Sequence, residues 1–172
     1  MIMYKISKEF EFSYGHRVWN QMLSRGAVCK CRWLHGHNGV LRIELGGNTL
    51  KNDMVMDYNE LSFVKHFVDD FMDHKMILDR NDPMLELLFS MKKEHFRIDS
   101  EQFGFATLNW DKRVVIPDEL KELYESVVLI DCVPTSENIC KLLFDGFLAE
   151  GLPVSKVSFK ETDKTEASYE GV

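Results

Sequence analysis

Residues 3–14 read MYKISKEFEFSY, with polar and apolar side chains in alternation. That two-residue period belongs to a strand with one face buried and one face wet. Residues 39–45, GVLRIEL, alternate in the same way and predict a second strand paired with the first. Between them, residues 15–34 carry Gly15, Asn20, Ser24 and Gly26 and predict a loop. Gly46-Gly47-Asn48 marks a turn, and residues 53–57 (DMVMD) predict a further short strand.

Beyond these strands the period changes. Leu61, Val64, Phe67, Val68 and Phe71 recur at steps of three and four, which predicts an amphipathic helix over roughly 58–72. Asp57 and Glu60 have capping-box spacing at its start, and Asp73 and His74 fall at or just past its end. A second helix fits 136–149 on Ile139, Leu142, Leu143, Phe144 and Phe147, with Pro134, Thr135 and Ser136 forming its start. Residues 154–160 (VSKVSFK) alternate as a last strand running into Glu161. Residues 82–126 are broken by Pro83, Gly104 and Pro117. Within them MLELLFSMKKEHF suggests a helix, and FATLNW and KRVVIP suggest short strands. A long connection with elements of its own is often a lid or an interface piece. The order predicts a single α+β domain, an antiparallel sheet with helices packed on one face.

Bulk properties exclude several classes. The 172 residues fit one domain with a substantial core. The net charge of −7 and the scattered Lys and Arg residues argue against a nucleic-acid partner, which needs a basic face. A small phosphate-bearing substrate stays compatible with that charge. No stretch approaches the roughly 18 apolar residues of a membrane helix, and the charged N-terminus lacks a signal-peptide run. A cytoplasmic protein is expected. Without a secretory signal the four cysteines predict no disulfide framework. Cys132 and Cys140 lie in apolar surroundings and read as buried small hydrophobes.

Cys29 and Cys31 lie in different company. They open the run Cys-Lys-Cys-Arg-Trp-Leu-His-Gly-His, which ends at His37. On a strand, side chains two apart face the same way, so His35 and His37 project together, roughly 7 Å apart along the chain. Two such imidazoles can converge on one Zn²⁺, and His16, at the end of the neighbouring strand, offers a third. Three histidines with an open position make a catalytic rather than a closed structural site. A structural site from Cys29, Cys31, His35 and His37 is the competing arrangement, but it leaves His16 unexplained. A His-x-His pair alone would be weak grounds for any metal.

Several short motifs then line up in order. Phe12-x-x-x-His16 and Cys31-x-x-x-His35-Gly36-His37 resemble the zinc motif of the 6-pyruvoyl/6-carboxytetrahydropterin synthase family. Met54-Val55-Met56-Asp57-Tyr58, Asp73-His74, Pro134-Thr135-Ser136-Glu137-Asn138 and Lys160-Glu161-Thr162 are similar to further family segments. The resemblance implies the tunnelling fold, a four-stranded antiparallel sheet with two helices on one face. It implies Zn²⁺ on His16, His35 and His37, Cys31 as general base, and Asp73 and His74 as a proton relay. It implies Glu161 as the carboxylate that anchors the pterin, with Thr135, Ser136 and Glu137 lining that pocket. It also implies a homohexamer of two stacked trimers with active sites at subunit interfaces. The expected reaction converts 7,8-dihydroneopterin triphosphate to 6-carboxy-5,6,7,8-tetrahydropterin, acetaldehyde and triphosphate, a lyase step towards 7-deazaguanines such as queuosine.

Alternatives remain at this level. The 6-pyruvoyl branch has its reactive cysteine at the spacing of Cys29, and its reaction only eliminates triphosphate. A non-catalytic zinc-stabilised scaffold is a reading of another class. Arg17, Lys30, Arg32 and Lys75 are either partners for a triphosphate or solvated surface charge. Asp73-His74 alone would read as a helix-end His beside a surface acid. The interval from His74 to Pro134 is longer than the family's, so residues 82–126 are expected to be an insertion.

Overall fold

The computed structural model describes residues 4–89 and 95–171. In chain order the elements are β1 (Tyr4–His16), β2 (His35–Gly47), α1 (Ser62–Phe71), β3 (Lys75–Asp79), α2 (Met84–Phe89), β4 (Phe96–Gln102), β5 (Phe105–Trp110), α3 (Asp118–Ser126), β6 (Val127–Ile130), α4 (Ser136–Ala149), β7 (Val154–Thr162) and β8 (Thr165–Glu170). Short 3-10 turns cover Lys30–Arg32 and Tyr58–Leu61. Residues 90–94 of the expected MLELLFSMKKEHF helix lie outside the described residues, as does Met3 of the first strand.

The architecture is α+β, but the sheet has eight strands rather than four, in the order β4-β5-β6-β3-β1-β2-β7-β8. One half, β1-β2-β7-β8, is antiparallel throughout. On its outer side β1 meets β3 in parallel over Tyr14–His16, and β3 meets β6 in parallel. The antiparallel strands β5 and β4 complete the sheet. One face of the first half carries Phe10, Phe12 and Tyr14 from β1, Leu41, Ile43 and Leu45 from β2, and Val157 and Phe159 from β7. The apolar stripes of α1 (Val64, Phe67, Val68, Phe71) and α4 (Ile139, Leu143, Phe144, Phe147) cover that face. The opposite face is polar, with Lys5 on Glu44 (2.6 Å) and Lys156 on Glu170 (3.1 Å). A second, smaller core of Leu78, Leu85, Leu108, Ile116, Tyr124, Val127 and Leu129 underlies α3.

Both long helices start where the sequence indicates. The Thr135 hydroxyl caps α4 by accepting the Asn138 N–H (3.3 Å). Asp57 accepts the Asn59 N–H (2.8 Å), so the first helix begins as a 3-10 turn before α1 takes over. Other expectations are corrected. Residues 53–57 form no strand: a Lys51–Met54 bridge closes a tight turn with Asn52 and Asp53 at positive φ (+52° and +63°). KRVVIP forms no strand either, since Val115 is fully exposed and Pro117 opens α3. Strands β3, β4, β6 and β8 and helix α3 were not indicated by the sequence pattern, and Phe96, expected at the end of a helix, opens β4 instead. None of the described helices is long and apolar enough to cross a membrane.

Phe105 links the two halves. It stands on β5, yet its fully buried ring packs edge-on against Phe67 of α1 (5.4 Å between centroids). Phe105→Ala is expected to cost about 3–5 kcal/mol. Because the sheet is continuous, the loss should appear in one cooperative transition when denaturant unfolding is followed by circular dichroism. Two separate transitions would show that the halves fold independently.

Candidate metal centre and active site

The register of the first hairpin builds the site. His16 of β1 stands directly opposite His35 of β2, and Tyr14 stands opposite His37. All four side chains share the core face with Phe10, Phe12 and Leu41, so the apolar ladder runs into three imidazoles at its end. Their ring centroids are 4.6 Å (His16–His35), 4.9 Å (His35–His37) and 5.2 Å (His16–His37) apart. One ring nitrogen from each lies within 4.8 Å of the others.

The hydrogen bonds fix which nitrogens face inward. His16 Nδ1 lies 2.8 Å from the Pro134 carbonyl, and His35 Nδ1 lies 2.7 Å from the Trp33 carbonyl. A carbonyl only accepts, so each Nδ1 carries the hydrogen and each neutral ring turns a bare Nε2 lone pair inward. Those two Nε2 atoms are 3.1 Å apart. His37 Nε2 is buried and, among the described residues, has no hydrogen-bond partner. Burial, then the neighbouring rings, holds His16 below the ordinary histidine range, against the Pro134 bond and the Glu161 charge. Burial lowers His37 as well. Three imidazoles whose ring nitrogens converge fit one divalent cation. Tetrahedral nitrogens at 2.0–2.1 Å from Zn²⁺ stand roughly 3.4 Å apart. The backbone carbonyls behind His16 and His35 are the outer partners a ligating histidine requires.

The other expected residues fall into two groups. Glu161, at the end of β7, stands beside the cluster with Oε1 3.7 Å from His16 Nε2. The first turn of α4 is adjacent, because Pro134 directly precedes Thr135, Ser136 and Glu137. Of these, the Thr135 hydroxyl is engaged as the helix cap, Ser136 is half-buried and Glu137 is exposed. Cys31 is half-buried in the 3-10 turn, with its carbonyl accepting the Val18 N–H (2.8 Å). Its thiol is not acidified by the groups around it in the polypeptide. Burial pushes its pKa up, and the Cys29 thiol and the Glu161 charge push the same way. A cation on the imidazoles would act in the opposite sense.

Asp73 and His74 form the expected pair, His74 Nδ1 to Asp73 Oδ2 at 2.9 Å. The Ser13 N–H donates to Asp73 Oδ1 (2.9 Å) and, ahead of His74, holds that carboxyl below the usual range. His74 is at φ +56° with its N–H on the Ser13 carbonyl (2.6 Å), a conformation L residues seldom adopt. Its side chain is 82% exposed. Among the described residues no hydrogen bond joins it to Cys31 or to the three imidazoles. Of the four cations, Arg17 is buried on Asp82 and Lys75 donates to the Glu125 carbonyl (2.9 Å). Lys30 is exposed and Arg32 half-exposed. The sequence reading missed Tyr14, whose buried ring packs on both His16 and His37 and whose hydroxyl is pushed up by burial. It also missed the two carbonyls that fix the tautomers, since no residue type marks a backbone oxygen.

Comparison with known proteins gives a consistent picture. A family model described as 6-pyruvoyl tetrahydropterin synthase matches residues 5–172. The 6-carboxy-5,6,7,8-tetrahydropterin synthase of Aquifex aeolicus is 32% identical, over 96% of this chain and 97% of its own. The enzyme of the same name from Haemophilus influenzae is 35% identical over 59% of this chain and 70% of its own. An uncharacterized protein of Wolinella succinogenes has a crystal structure with TM-score 0.85, at 35% identity and 98% coverage of both chains. The Caenorhabditis elegans 6-pyruvoyl tetrahydropterin synthase superposes with TM-score 0.55 at 23% identity over 100% of this chain and 99% of its own, which speaks to the fold alone.

The lowered histidines predict a pH response of the metal-free chain. His16 and His37 take up protons less readily folded than unfolded. Below the ordinary value of 6.5 the unfolded chain therefore binds more protons, and stability falls as the pH drops past it. Thermal melts of the chelator-treated protein on either side of that value should show a lower Tm on the acid side. Equal values would contradict the buried, neutral assignment.

Proposed function

The chain belongs to the 6-pyruvoyl tetrahydropterin synthase family, and we propose that it is the 6-carboxy-5,6,7,8-tetrahydropterin synthase of its host. The reaction takes 7,8-dihydroneopterin triphosphate and one water to 6-carboxytetrahydropterin, acetaldehyde and triphosphate, in the cytoplasm, as a step towards 7-deazaguanines of the queuosine type. The observation that carries this reading is the convergence of three imidazoles, two of them with Nδ1 on a backbone carbonyl, beside a half-buried Cys31 and the Glu161 carboxylate.

His16, His35 and His37 would hold Zn²⁺. When bound, that ion supplies Lewis acidity towards the oxygen substituents of the pterin side chain, which makes the neighbouring C–H more acidic. The chain's own groups do the rest. Glu161 accepts two N–H bonds from the amide-like edge of the pterin and so sets which side-chain carbon faces Cys31. The first turn of α4, through Thr135, Ser136 and Glu137, lines the same pocket. Cys31, as thiolate, removes the proton from that carbon. Asp73 holds His74 by its Nδ1, leaving Nε2 free to deliver and collect protons.

His74 and Cys31 share no bond within one chain, and the site is accordingly read as shared between subunits of a homohexamer. Two open strand edges support assembly. β8 ends the sheet, and β1 meets β3 only at Tyr14–His16, leaving its outer edge without a strand partner over Tyr4–Phe12 among the described residues. Residues 82–126 are read as an insertion into the family core, because their two strands, β4 and β5, extend the sheet beyond β6 at one end.

Cys31→Ala is expected to abolish turnover while one zinc per chain is retained, and Cys29→Ala to be mild. The reverse kinetics would move the base to Cys29. Mass spectrometry of every product from dihydroneopterin triphosphate decides the branch: acetaldehyde marks the 6-carboxy reaction, and its absence with triphosphate released marks the 6-pyruvoyl one. Mixing inactive Cys31→Ala with inactive His74→Ala chains, after dissociation and reassembly, should restore part of the turnover. No restoration would place both groups of a site in one subunit.

A further inference from the structure

The four residues at the end of β1 make four separate attachments. His16 faces the imidazoles. The Arg17 guanidinium turns to Asp82, Nε to Oδ2 at 2.9 Å, with side chains 9% and 0% exposed. The Val18 N–H donates to the Cys31 carbonyl (2.8 Å). The Trp19 indole N–H donates to Asp79 Oδ2 (2.9 Å), and Asp79 is itself buried.

The two carboxylates sit on a braced turn at the end of β3. Asp79 Oδ1 accepts the backbone N–H of Asn81 (2.8 Å) and its side-chain amide (3.1 Å). Asp82 Oδ1 accepts the Met84 N–H (2.9 Å). The Arg80 N–H donates to Ile130 at the end of β6 (2.9 Å), and its guanidinium pairs with Asp131 (3.0 Å). A buried ion pair gains little net stability over an apolar pair of the same volume. The Arg17–Asp82 contact is a close charge pair rather than an aligned hydrogen bond, and with both side chains buried it still holds the guanidinium beside the carboxylate, because leaving either charge unpaired there is costly. Here it locates Arg17, and Asp79 locates Trp19. These two flank the single residue whose N–H carries Cys31.

We propose that Asp79 and Asp82 are positioning residues for the reactive thiol, holding the 17–33 loop so that Cys31 stays at a set distance from the metal cluster. The inference rests on Cys31 as the base. It also gives Arg17 a role other than triphosphate binding. Misplacement by about 1 Å costs a catalytic group on the order of a hundredfold in rate.

The test compares Asp82→Asn, Asp79→Asn and Trp19→Phe, each with and without Cys29→Ala. Zinc content, kcat and KM are measured per folded chain, and the rate of Cys31 alkylation by iodoacetamide is read in the Cys29→Ala background. The expected result is unchanged zinc content, KM within about twofold, kcat lower by about tenfold or more, and alkylation changed by at least about threefold. Wild-type kcat and alkylation in folded variants would overturn the proposal, as would a loss confined to KM or to zinc. If Asp82→Asn does not fold, Trp19→Phe, which removes one hydrogen bond and no charge, carries the same readouts. An active Cys31→Ala enzyme would sink the base assignment, whereas the alkylation rate reports on positioning whether or not Cys31 is the base.

Discussion

The pairing of β1 with β2 is the constraint from which the rest follows. With Phe12 opposite Gly39, Tyr14 opposite His37 and His16 opposite His35, one face carries the core and, at its end, three imidazoles. A slip of one residue would turn every one of these side chains to the polar face. The histidines do not hold the register themselves, since three converging lone pairs repel in the absence of a cation. The apolar part of the ladder holds it: burying each of Phe10, Phe12, Leu41, Ile43 and Leu45 contributes about 1.5–3 kcal/mol. Gly39 belongs to the same argument. A Cβ there would stand 3.0 Å from the Tyr14 ring and 3.1 Å from the Phe12 ring, so a larger residue would crowd the side chains that support His16 and His37.

Strands β3 and β6 bear on the site because they run parallel to β1. β1, β3 and β6 run the same way, and their carboxyl ends, at His16, Asp79 and Ile130, come together. The segments leaving those ends supply three kinds of part. The segment after β1 carries the thiol, the turn after β3 carries the buried carboxylates, and the segment after β6 carries the Pro134 carbonyl and the start of α4. Loops at the carboxyl ends of parallel strands are a common place for ligand sites. Here that geometry sits beside an antiparallel hairpin that contributes the imidazoles. Phe105 and Phe67 pack the halves together.

What could be read from the sequence depended on how local the signal was. β1, β2 and β7 alternate, α1 and α4 repeat every three to four residues, and both kinds of element were expected close to where they lie. His35 and His37 announce themselves by spacing, and His16 follows once the hairpin is drawn. β3 (KMILD) and β6 (VVLI) are interior parallel strands, buried on both faces, so they lack the alternation that reveals a strand. α3 is mostly charged, and β8 is an exposed edge with little apolar content, so neither pattern stood out. Arg17 looked like a free cation beside a motif because its partner Asp82 is 65 positions away in sequence, and no local pattern links them.

Cys31 shows how the parts depend on one another. In the polypeptide alone its neighbours are a second thiol, a carboxylate and packed side chains, and all three favour the protonated form. Arg17, the nearest arginine in sequence to His16, is neutralised by Asp82 and offers the thiol no help. The one place in this cluster able to take a strong positive charge is the point where the ring nitrogens converge, and a divalent ion there would outweigh the single charge of Glu161. A more acidic thiol would therefore require an ion in the histidine cluster and a short distance between that cluster and Cys31. The hairpin register sets the first, and the anchored loop sets the second.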